Sequence, residues 1–238
     1  MNKLAVLASS LLITASSISV YATPAQYGFN VPVYAGETNL DGSSIASGDY
    51  LFAAGTTISG TFSFDSALLP TASNLPPTGE FGATGPYSIY QGAVQNLLGT
   101  VGGHTFSIAS GDTVVADSNP VADHTVDGVF NRAGKFNGGN IGTGFSGFTL
   151  GAYTLVSFDL YTIGSQNYLG SQALPSPLTN GEFVTGANLI FEDGNHNQRM
   201  VEFGFGNIAL TAVPLPATAW LFGSSALVLL GRSRKRAA

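Results

Sequence analysis

The chain of 238 residues has no cysteine, a single tryptophan, only 9% charged residues, and eight lysines and arginines against fourteen acidic side chains. Without cysteine there is no disulfide framework, no thiolate nucleophile and no cysteine-ligated zinc, so burial of apolar surface must hold the fold by itself. The shortage of cations is sharper than the total suggests. Arg232, Arg234, Lys235 and Arg236 sit at the extreme C-terminus and Lys3 at the N-terminus, which leaves Arg132, Lys135 and Arg199 facing all fourteen acids in between. A body with a net charge of about −11 has no cluster of Lys and Arg to release phosphate counterions, which makes nucleic acid a poor partner. Such an acidic surface, in a chain with 31 glycines, suits exposure outside the cell or contact with divalent cations.

The body also lacks any sustained helical period, and what stands in its place is alternation. Thr61-Phe62-Ser63-Phe64, Thr105-Phe106-Ser107-Ile108, Val156-Ser157-Phe158-Asp159-Leu160 and Val201-Glu202-Phe203-Gly204-Phe205 each set apolar side chains on one face at period two. Turn clusters separate such runs: Leu75-Pro76-Pro77-Thr78-Gly79, Asn137-Gly138-Gly139-Asn140 and Asp193-Gly194-Asn195. The spacing predicts eight to eleven antiparallel strands in one all-β domain over residues 23–211, folded as a two-sheet, jelly-roll-like sandwich in which each apolar face covers the other. The last hairpin is the clearest element, with strands over Ala187–Glu192 and Gln198–Phe205 around a turn at Asp193–Asn197; a phase shift at Gly206 predicts a bulge before Ile208 and Leu210. Phe62, Phe64, Phe106, Phe158 and Phe203 are expected in the core. Tyr27, Tyr34, Tyr87, Tyr90 and Tyr168 lie in less regular stretches and are expected at the surface, where they are able to stack on sugars.

Catalytic signatures are missing as well. There is no Gly-x-Ser-x-Gly elbow and no His-Glu-x-x-His helix. Gly142-Thr143-Gly144-Phe145-Ser146-Gly147 matches a dinucleotide-binding pattern letter by letter, but it follows a turn cluster and runs into strand-like Phe148-Thr149-Leu150, whereas the pyrophosphate needs the start of a helix. His104, His124 and His196 form no spaced ligand pair. No residue is assigned a catalytic role, and the chain is read as a non-enzyme. A glycosidase would need two carboxylates about 5 to 9.5 Å apart across a cleft, which sequence does not pair. The segment Asp112–Asp127, "DTVVADSNPVADHTVD", gathers Asp112, Asp117, Asn119, Asp123 and Asp127, and a loop of this kind is able to offer calcium several oxygens. It breaks the EF-hand pattern at Val121 and Ala122, and Asp and Asn also populate turns by bonding their own backbone. Glu192, Asp193 and Asn195 form a second, weaker calcium candidate. No other cofactor is expected.

The two ends carry what the body lacks. Residues 1–22, "MNKLAVLASSLLITASSISVYA", join Lys3 to an apolar stretch and a small-residue cleavage pattern ending at Ala22, as in a secretory signal peptide. Thr23 is the expected mature start, with cleavage after Ala25 as the lesser option. At the other end, Ala217 to Gly231 is uncharged and long enough for roughly 22 Å of helix, so a membrane helix over about 214–231 is expected. Pro216 falls where a first helical turn tolerates proline, Trp220 falls near the outer interface, and Leu221, Phe222, Leu227, Val228, Leu229 and Leu230 supply apolar surface. Residues 232–238 bring Arg232, Arg234, Lys235 and Arg236. A charge at the bilayer centre costs about 2.5 to 3.5 kcal/mol, so this cluster acts as a stop to translocation and stays inside while the body is outside.

The order Pro-x-Pro, apolar helix, terminal Arg cluster resembles the PEP-CTERM sorting signal over residues 212–238. Val213-Pro214-Leu215-Pro216-Ala217 is similar to its VPLPA-CTERM variant, with Leu215 where the founding motif has glutamate. The resemblance implies that an exosortase, a multi-spanning membrane protease or transpeptidase, recognises Pro214 and Pro216, and that the exported body is released or transferred to the cell surface. It further implies a transient membrane anchor and an association with extracellular polysaccharide and biofilm matrix. The body is also similar, more diffusely, to short β-sandwich ectodomains carrying this tail, with Leu174-Pro175 before a final pair of strands. A permanent anchor, a calcium-dependent carbohydrate-binding module and a matrix glycan hydrolase stand as the alternatives.

Overall fold

The structure is a computed structural model that describes residues 24–46, 48–75, 86–121, 124–136 and 139–204. The expected signal peptide, the turn at 76–79, Asp123, the phase shift at Gly206 and the whole tail over 212–238 lie outside the described residues.

The period-two runs become eleven strands: β1 (Ala25–Asn39), β2 (Thr57–Phe64), β3 (Ala72–Leu75), β4 (Tyr87–Val101), β5 (His104–Val121), β6 (His124–Phe136), β7 (Gly139–Ile141), β8 (Thr149–Leu150), β9 (Tyr153–Ser165), β10 (Val184–Glu192) and β11 (Gln198–Phe203). No helix occurs among the described residues, and so none there is long and apolar enough to cross a membrane. The final hairpin forms as expected around residues 193–197. Gly142 to Gly147 lies along β5 through bridges Ser110↔Thr143 and Ser107↔Ser146, so its backbone is committed to strand contacts.

The expected two-sheet sandwich is replaced by a closed barrel. Every main strand pairs antiparallel with the next in the chain, in the order β1, β2, β4, β5, β6, β9, β10, β11, and β11 returns to β1. The closing seam is β6–β9, nine residue pairs from Val126↔Ser165 to Gly134↔Ser157. The short β3, β7 and β8 pair with stretches of β4, β6 and β9. A sandwich of the jelly-roll kind needs strands that cross from one sheet to the other, and the described residues contain none. With one apolar face on every strand and right-handed twist throughout, a meander buries that face by curling until its edges meet. Bulges help it curl. Register shifts fall between Val33 and Gly36, Tyr90 and Val94, Ala116 and Asn119, and Ile190 and Phe191; the second contains Gly92 at φ 76°.

The interior is filled. Phe62, Phe64, Phe106, Phe158 and Phe203 are at most 2% exposed, as their alternation predicts. Phe158 from β9 packs against Phe29 from β1 at 5.8 Å and Phe106 from β5 at 5.2 Å between ring centroids. Each such side chain contributes about 1.5–3 kcal/mol on burial. An apolar interior is the reverse of a membrane-spanning barrel, whose apolar band faces lipid and whose lumen is polar. On the outer face, positions alternating with the core gather a smaller cluster of Tyr87, Val114, Ala116, Phe130 and Tyr161. Beside it Arg132 pairs with Asp159 at 3.3 Å, and burial pushes the Asp159 carboxyl above its ordinary range against the pull of that arginine.

The tyrosine expectation is overturned. Tyr27, Tyr87 and Tyr90 are only 6%, 3% and 3% exposed, and Tyr168 is partly buried; the side chain of Tyr34 lies outside the description. Tyr87 is buried in the outer-face cluster, and the hydroxyls of the other three explain their burial. Tyr90 donates to the Gln172 carbonyl at 2.6 Å, Tyr168 donates to that of Thr179 at 2.9 Å, and Tyr27 accepts from the Leu178 amide at 3.3 Å. The segment between β9 and β10 folds over this end of the barrel with Leu169, Leu174 and Leu178 inward, and the phenols hand it their polar tips. This is also the end where β1 begins, Ala25 opposite Phe64, and where β11 ends, Phe203 opposite Val33. The opposite end carries the β1–β2 loop, the β4–β5 turn at Gly102 and Gly103, and the β10–β11 turn.

Candidate functional site

The residues singled out for sorting, Val213 to Ala217, the anchor from Trp220 to Leu230 and the basic cluster from Arg232 to Arg236, lie outside the described residues, as does Ala22. The calcium segment is described in large part, and it is a hairpin. Asp117 and Asn119 stand on β5 and Asp127 on β6, with Asn119 opposite Val126 and Val121 opposite His124. Asp127 is fully buried, and its Oδ2 accepts from the Leu169 amide at 2.7 Å, so its work is to hold the β9–β10 segment. Asp112 accepts from the Gly92 amide at 3.2 Å.

The second acidic candidate is likewise occupied by protein donors. Glu192 receives both of its contacts to Lys135 Nζ, at 2.7 and 2.8 Å, together with His196 Nδ1 at 2.6 Å and Gln198 Nε2 at 2.9 Å. Hydrogen bonds from Lys135 first, then His196 and Gln198, draw its carboxyl down to about 2. Asp193 accepts from the Asn195 and Asn197 amides and from Asn197 Nδ2, closing the turn on itself, and those Asn197 and Asn195 bonds hold its carboxyl below the usual range. His196 completes the turn at φ 66°. Among the described residues, no three His, Asp or Glu side chains are grouped to hold a metal ion.

What the structure does bring together lies at the end opposite the chain termini. Glu37 points inward from β1, and its Oε1 accepts from the Phe52 amide at 2.8 Å, pinning the β1–β2 loop. Arg199 points inward from β11, donates to the Asp49 carbonyl at 2.6 Å, stands 3.7 Å from Glu37 Oε2 and lies 4.4 Å over the ring of Tyr153, whose hydroxyl its Nη2 reaches at 3.3 Å. Glu37 Oε2 and Arg199 Nε are buried without a hydrogen-bond partner. Two clefts share Tyr153 as a lining residue. One, of about 510 Å³, runs between the β1–β2 loop and the β10–β11 turn; the other, of about 460 Å³, lies between that loop and the β8–β9 turn. Asp41, at the rim of the first, is held below its usual range by hydrogen bonds from Ser43 and remains a carboxylate.

Sequence reading missed Glu37, Tyr153 and Arg199 as a group. A signal existed for Arg199, because the alternation that buries Val201 and Phe203 places it on the same inward face, and a charge at an inward position requires a partner. Nothing local names Glu37 or Tyr153 as that partner, since only barrel closure sets β1 and the start of β9 beside β11. The arrangement offers an aromatic ring, amides and hydroxyls, which are the means of binding. Comparison with family models, with curated proteins and with solved structures found no match to this chain.

Proposed function

We propose that this chain is an exported cell-surface or extracellular-matrix protein, sorted by an exosortase through its C-terminal VPLPA signal, whose barrel is a structural or adhesive component associated with exopolysaccharide. The observation that carries the reading is the order of three parts in the last residues: Val213-Pro214-Leu215-Pro216-Ala217, the uncharged run to Gly231, and Arg232, Arg234, Lys235 and Arg236. Two further features support it. β1 begins and β11 ends at the end of the barrel opposite Tyr153, which is compatible with display of the Tyr153 end. The interior is packed with side chains, which suits a rigid display unit more than a carrier of a buried ligand.

Intact-mass measurement of the protein recovered from its native cells, beside a variant carrying Pro214→Ala and Pro216→Ala, tests the proposal. The expected species starts at Thr23 and ends between Val213 and Ala217, and the variant loses that C-terminal end. Retention of residues 232–238 in both proteins would establish a permanent anchor and sink the sorting mechanism.

A further inference from the structure

We infer that the two clefts meeting at Tyr153 form one binding groove for a neutral saccharide chain, with the Tyr153 ring as its stacking face. The inference deepens the proposed function, which supplies the extracellular glycan, but its geometry stands apart from any sorting step.

The first argument is the cost of the support. Inside a barrel otherwise filled with Phe, Leu and Val, this end buries Glu37 and Arg199 and leaves Glu37 Oε2 and Arg199 Nε without hydrogen bonds. Two apolar residues would close the barrel at lower cost, because desolvating an ion pair often outweighs its attraction. What the pair achieves is positional. Arg199 clamps the Tyr153 ring from one side and holds the Asp49 carbonyl, while Glu37 holds the amide of Phe52, so one ring and one loop are fixed together at the rim. Tyr153 lines both clefts and Arg199 lines only the second, so the clamped ring is the wall that the two clefts share.

The second argument is the chemistry of the lining. Asn39, Ser43, Asn197 and Gln198 supply amides and a hydroxyl to the larger cleft. They are held in place before any ligand arrives: Asn39 Nδ2 donates to Ser43 Oγ at 2.9 Å, and the Ser43 and Asn197 amides donate to Asp41 and Asp193 at 2.8 and 2.9 Å. Fixed amides and carboxylates beside an aromatic face match the vicinal hydroxyls and C–H face of a pyranose. An apolar ligand would strand these polar groups. Two clefts sharing one ring favour an extended ligand over a compact one. The third argument is charge: Asp41 and Asp49 edge the groove, and the acidic body repels a polyanion, which leaves neutral sugars.

The test uses the full chain in a detergent without a sugar head group, lauryldimethylamine oxide, with cellohexaose, maltohexaose and laminarihexaose as neutral probes and an alginate hexamer as the anionic one. Binding is read by calorimetry and by the NMR signals of labelled tyrosine rings. A neutral hexaose should shift the Tyr153 ring signals, and Tyr153→Ala should weaken binding at least about tenfold, the scale of one aromatic contact, while Tyr153→Phe retains it. Ser43→Phe, an exposed change that fills the larger cleft without touching the core, should abolish binding with the melting temperature unchanged, which separates loss of the site from loss of the fold. Absence of binding by all three neutral probes, equal binding of alginate, or binding indifferent to both Tyr153→Ala and Ser43→Phe overturns the inference. None of these outcomes touches the mass of the mature chain, so the sorting proposal stands or falls separately.

Discussion

At the scale of single residues, the site is organised by charges in a chain that has few. Glu192 gathers Lys135, His196 and Gln198 on one carboxylate, and their hydrogen bonds hold its carboxyl at about 2, below the ordinary 4.5. A depressed carboxyl contributes stability that is complete above the unfolded value and is lost as pH falls through the folded one. Thermal melts should therefore show a loss of stability between about pH 4.5 and pH 2 that is smaller in Glu192→Gln, whose amide does not titrate; identical pH profiles would remove Glu192 from the acid transition. The phenylalanines were legible at this scale because a residue's place in the alternation decides its side. The tyrosines were not. Whether Tyr90 is surface or core depends on residues 166–183 closing over it, and the partner of its hydroxyl is Gln172, far away in the chain.

At the scale of elements, curvature comes from glycines that face aromatic rings across the ladder. Gly60 lies opposite Phe29, Gly99 opposite Phe106 and Gly186 opposite Tyr161, and in each pair a methyl on the glycine would fall well inside van der Waals contact with the ring. The missing side chain lets the ring lie flat on the neighbouring strand, which tightens the sheet where a barrel must bend. Gly99→Ala should cost about 1–3 kcal/mol, as overpacking does. Combined with Phe106→Leu, the loss in chemical denaturation should be less than the sum of the two single losses, because the smaller side chain removes the clash. Strict additivity would show that the two positions do not compete for space. The strands themselves were largely readable, the last hairpin to within a few residues, since period two needs no tertiary information. The bulges were harder, because a register shift such as that between Tyr90 and Val94 is defined only against the partner strand.

At the scale of the whole molecule, closure along β6–β9 distinguishes this fold from two facing sheets. In native-state hydrogen exchange, amides of β6 directed at β9 should be as protected as those of the β9–β10 hairpin, because both lie in complete ladders. Exchange there at the rate of a free edge would mean that the barrel is open. The residues at the Tyr153 end follow from the same closure, which sets Glu37 of β1, the loop at Asp49 and Tyr153 of β9 around Arg199 of β11. By itself the sequence determined that this is an all-β, acidic, cysteine-free body of alternating strands, and that its phenylalanines face inward, because composition and period are local properties of the chain. The tertiary structure alone decided that one sheet closes on itself, that Tyr27 and Tyr90 are buried under the β9–β10 segment, that the calcium segment is a hairpin, and that Tyr153 lines two clefts. Each of these depends on which strand edge meets which, and the alternation that specifies a strand's buried face does not specify the neighbour at its edge.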